Sequence, residues 1–158
     1  MQIRANLFTL PTVAAATAAT LIAGSFVLDI GRPSANPEAQ AKHAVLVVRS
    51  SACTNPEKTN ITANAEGVVN GKRQTVSLKL VPLTGAGTYA VTRQWPAEGH
   101  WVVTLFAANP SYPFPQSAIV NVKGDSADLA SVKRSSRAPT SQEIEAALNA
   151  TALAARVQ

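Results

Sequence analysis

The chain has 158 residues, 46% hydrophobic, 15% charged and only 5% aromatic, with a formal net charge of +5. That length has room for one domain with a single modest core. The sparse and scattered charge argues against a nucleic-acid binder, which needs a basic stripe with interleaved aromatics.

From Ala5 to Leu28 there are 24 residues without a charge, preceded by Arg4 and followed by Asp29 and Arg32. A positive start, an apolar stretch and the small residues Ala23, Gly24 and Ser25 match an export signal cut after Ser25, so residues 1–25 are expected to be a signal peptide or membrane anchor. Ala39-Gln40-Ala41 is a second candidate cleavage site. The run is long enough to span a bilayer, and an uncleaved leader would tie residues 5–28 to the membrane. Its many Ala and Thr contribute little insertion energy, which favours cleavage. With either outcome the positive-inside bias sends the rest of the chain across, to a periplasmic or secreted location.

Residues 26–42, rich in proline and small polar side chains beyond Gly31, are expected to be a linker. Ala44–Val48 is a compact β-branched run and reads as a strand buried on both faces. Asn60–Val69 alternates, with Ile61, Ala63 and Ala65 on one side, and its pattern slips at Gly67-Val68-Val69 in the manner of a bulge. Asn70-Gly71 is a type I′ hairpin signal, and Val76, Leu78 and Leu80 supply the partner strand. Tyr89 and Val91 share a face with Trp95, interrupted by Arg93. Trp95–Gly99 turns the chain into a strand apolar on both faces, His100–Ala107, as a central strand would be. The loop Asn109–Gln116 sets Tyr112 and Phe114 among three prolines, and Ala118, Val120 and Val122 lie on one side of a last strand.

Six strands at this spacing predict an all-β fold: a small antiparallel immunoglobulin-like β-sandwich over residues 43–123. A core so small is marginal unless braced. Residues 124–139 read as a basic linker carrying Lys133, Arg134 and Arg137. Thr140 and Glu143 form a capping box that opens a helix over residues 140–158, with Ile144, Leu148, Thr151, Ala152 and Ala155 along one stripe. That stripe packs on the sandwich or on a partner.

The single cysteine, Cys53, excludes an intramolecular disulfide and reads as a small buried hydrophobe. Nucleophilic hydrolysis needs a Ser or Cys beside an oriented base, yet His43 and His100 sit in no recognised signature and Glu57, Glu66 and Glu98 are dispersed. No enzyme and no cofactor are therefore expected. The candidate binding residues are Tyr112 and Phe114, on a stiff proline frame, with Ile144 and Leu148 on the helix. Tyr112 and Phe114 would alternatively fold back to plug one end of the core. A copper site at His43 and His100 is the alternative, because cleavage after Ala41 would place His43 second in the mature chain, where amine and imidazole chelate together.

Gly87-Thr88-Tyr89, Trp95-Pro96 and Gly99-His100-Trp101-Val102-Val103 resemble the YtkA-like and FixH-like extracytoplasmic sandwich domains. The stretch covers about a quarter of the expected sandwich. The resemblance implies an envelope-located module, of a kind associated with copper handling and respiratory-complex assembly. The chain lacks the methionines and clustered histidines such a copper role would use. The expected function is contact with an envelope protein or polymer, with copper transfer as the alternative.

Overall fold

The computed structural model describes residues 26–52 and 54–156, without the side chains of 154–156. The expected leader and Cys53 lie outside the described residues. Among the described residues, nine strands form two antiparallel sheets. The first holds β1 (Val27–Gly31), β2 (Ala44–Ser51), β6 (Thr88–Thr92) and β5 (Val81–Pro82), hydrogen-bonded in that order. The second, in the order β4-β3-β7-β8-β9, holds β3 (Asn60–Val69), β4 (Lys72–Leu78), β7 (His100–Ala108), β8 (Gln116–Lys123) and β9 (Ser126–Ser135). Their inner faces enclose Leu28, Val45, Val48, Val91, Val103, Leu105 and Val120, so the molecule is a β-sandwich.

Each sheet also has a helix on its outer face. Helix α1 (Pro37–Ala41) is a single turn whose Ala39 packs against Leu83 and Ala90. Helix α2 (Ser141–Arg156) lays Ala147 and Leu148 on Val102 and Ile119, with Val68 and Ile144 at the margin. This explains why β7 is apolar on both faces: Trp101, Val103 and Leu105 point into the sandwich, while Val102 lies under α2. The expected capping box is formed. Thr140 Oγ1 accepts from Glu143 N–H at 3.3 Å, and Thr140 N–H donates to Glu143 Oε2 at 2.8 Å.

The hairpin at Asn70-Gly71 also forms, with Val69 opposite Lys72 and both turn residues at positive φ, 49° and 74°. The expected bulge does not. Register runs unbroken from Ala63↔Leu78 to Val69↔Lys72. What resembled a slip is a strand whose two faces are both covered: Gly67 looks inward at Trp101, and Val68 outward at α2.

Two expected linkers are part of the sandwich instead. In the first, Val27–Gly31 pairs with β2 and buries Phe26 and Leu28, while Asn36 caps α1 by accepting from Ala39 N–H at 3.0 Å. Apolar side chains at the end of the charge-free run, expected to open a linker, belong to the core. In the second, Ser126–Ser135 forms β9. Its alternation is broken by an irregularity opposite Val120, between the pairs Asn121↔Asp128 and Ile119↔Lys133. Ser131 Oγ fills that gap, accepting from Asn121 N–H and donating to Asp128 O.

Candidate functional site at the charged end of the sandwich

The two ends of the sandwich differ in chemistry. At one end β6 leaves through Arg93–Gly99 to begin β7, and β8 turns into β9 through Gly124 and Asp125. Here Trp95 and Trp101, only 5% and 3% exposed, close the core. Trp101 lies opposite Gly67, where a Cβ would fall 2.3 Å from its ring, so a flat indole fits only over glycine. Its Nε1–H donates to Glu98 O at 2.8 Å, satisfying the buried donor. Gly99 has φ of 92° and its Cβ position is 2.4 Å from Val68 O, a backbone contact that no side chain can relieve.

These constraints leave a cleft of about 570 Å³ beside the two indoles, walled by Arg93, His100, Asn121 and Asp128. The Arg93 guanidinium reaches across to Asp125 at 2.7 Å, joining the two turns, while Asp125 remains 77% exposed. An exposed pair of this kind contributes at most about 1 kcal/mol, so a carboxylate or phosphate on a partner can replace Asp125 at little cost. Composition alone did not single out Arg93. Its signal was present: it interrupts an apolar alternation just before a buried tryptophan.

The expected site residues fall in separate places. His100 is half-buried in the cleft wall, paired with Val68 at the start of β7. His43 is exposed ahead of β2, in the other sheet, with φ of 52°; its N–H donates to Gln40 O and ends α1. Among the described residues no group of three or more His, Cys, Asp or Glu side chains is placed to hold a metal. Leu148 and Ile144 pack on the molecule's own sheet, Leu148 with 2% exposure, so these two side chains are not a free surface.

Tyr112 and Phe114 stand at the opposite end and part company. Tyr112 folds back: its ring lies 5.4 Å from that of Phe26, and its hydroxyl accepts from Thr54 N–H at 3.1 Å. Phe114 is 67% exposed. The loop is held by buried Asn109, whose Nδ2 donates to Asn55 O and Thr59 Oγ1 and whose Oδ1 accepts from Ser111 N–H.

Hydrogen bonds from Arg137 first, then from Thr140, lower the Glu143 carboxyl from its ordinary 4.5 to about 2. The Ser51 hydroxyl, more than Arg49, holds Asp29 below the usual carboxylate range against the opposing effect of burial. Both are structural ties, one at the mouth of α2 and one along the β1–β2 edge. Comparison with protein families, with curated proteins and with solved structures found no match.

Proposed function

We propose that the chain is an exported, non-catalytic module that works by contact with a protein or polymer partner in the cell envelope. The observation that carries this reading is the open, mixed-polarity cleft at the end of the sandwich away from the point where the leader joins. Its apolar floor and exchangeable Arg93–Asp125 pair suit recognition of an anionic group attached to an apolar body. The sandwich is read as immunoglobulin-like because β1-β2-β6-β5 facing β4-β3-β7-β8 follows the order of immunoglobulin sheets, with β9 as an addition. That reading agrees with the resemblance of Gly87–Tyr89 and Gly99–Val103 to envelope modules.

The copper alternative gains no support from the fold. Chelation at His43 requires cleavage after Ala41, and that cut would remove β1 and α1, taking Phe26 and Leu28 from the core and Ala39 from the outer layer. Cleavage after Ser25 leaves all of these in place.

A photo-crosslinking amino acid at His100, in the full chain produced in its own cells, tests the contact. A discrete crosslinked envelope partner is expected, and Arg93→Glu should reduce its yield at least tenfold without unfolding the protein. Equal crosslinking from His100 and from Lys79, outside the cleft, would sink the assignment.

A further inference from the structure

At the end opposite the cleft, Ser50, Ser51, Thr54, Asn55 and the loop Asn109–Gln116 gather around the point where the described chain begins. None of these residues, nor Phe26, Val27 and Leu28, carries a charge. Charges begin at the rim, with the Asp29–Arg49 pair beside Ser51, with Glu57 and Lys58 on a short 3-10 turn and with Arg137 beyond β9. The cleft end differs, presenting Lys72, Arg93, Glu98, Asp125 and Asp128. Of the three large hydrophobic side chains that stand exposed among the described residues, two are at the uncharged end: Phe114 and Val27, the latter 45% exposed. The 21 residues from Ala5 to Ser25, uncharged and of bilayer-spanning length, join the fold here with no spacer, because Phe26 is already core.

We infer that this uncharged end rests on a lipid bilayer, with Phe114 set among the headgroups. Weak insertion energy in the leader favours cleavage; with the leader retained, the spacer-free junction would hold the exposed Phe114 beside the bilayer. The sandwich then has little freedom to stand off from the membrane, and Phe is among the residues that membrane-surface segments bury at the headgroup boundary. The proline frame holds Phe114 outward at low entropic cost, as interfacial insertion demands. The cleft faces away from the bilayer, towards partners. The inference rests on the exported reading, with the leader uncleaved.

The test uses the full-length chain carrying Phe114→Trp, reconstituted in phosphatidylcholine vesicles with or without bromine at positions 6 and 7 of the acyl chain. The native indoles, both at the far end, serve as the internal control. The expected result is loss of at least half of the added indole's emission in brominated vesicles, with the emission of the unsubstituted chain unchanged. Flotation with the vesicles and no quenching would overturn the surface contact while leaving the anchor intact. A purified chain that begins at Phe26 and does not float would overturn the anchor and the inference together. Emission that shifts with protein density in both vesicle types would instead assign the face to a second copy and overturn the inference.

Discussion

Asn109 shows how much one buried polar side chain can fix. Its amide ties the loop carrying Tyr112 and Phe114 to Asn55, Thr59 and Ser111, and every hydrogen bond it makes is local to that end of the sandwich. Removing it with Asn109→Ala takes the partner from the half-buried Asn55 carbonyl and leaves Thr59 Oγ1 with Ser50 alone, so a loss of about 1–3 kcal/mol is expected in urea unfolding. Unchanged stability would show that the loop is not held this way. Gly67 is the second informative residue. Gly67→Ala drives a methyl into the Trp101 ring, and the overpacking should cost about 1–3 kcal/mol, visible as a lower denaturation midpoint and altered tryptophan emission. Neither role is legible from composition. Asn109 read as a loop residue, and Gly67 as a bulge, because the partner that explains each is far away in sequence.

Elements with a strong local signal were legible: the Asn70-Gly71 hairpin, the doubly apolar β7 and the capped α2 all depend on neighbours a few residues apart. Strands β1 and β9 were not. Strand β1 is hidden at the end of a charge-free run, and β9 is an edge strand whose period-2 pattern is broken at Leu129–Val132. Both matter for stability. A chain beginning at Lys42 should melt well below one beginning at Phe26, since it lacks an edge strand, α1 and three buried apolar side chains, Phe26, Leu28 and Ala39. Equal melting temperatures would contradict the place given to β1. Helix α2 braces the other sheet, and Leu148→Ala should cost about 2–5 kcal/mol. Its N-terminus also carries a pH dependence. Because folding lowers the Glu143 pKa, the stabilisation is complete above about pH 4.5 and is lost as pH falls towards about 2. Helical circular dichroism should weaken over that window, and Glu143→Gln should remove the part of the change due to this contact.

At the scale of the whole molecule, the sandwich is polarised: an end of mostly uncharged side chains where the described residues begin, and a charged end with a cleft closed below by two tryptophans. The cut after Ala41 that the copper reading needs would remove β1 and α1 from the fold. The architecture was largely legible in the alternation between residues 44 and 122. The cleft was not, since Arg93 and Asp125 meet only when separate turns converge. Export is the claim on which the functional account turns, and alkaline phosphatase fused to the C-terminus of the full chain tests it most directly. The account predicts active phosphatase in intact cells, lost when residues 5–25 are deleted. An inactive phosphatase, with β-galactosidase active at the same junction, would contradict it.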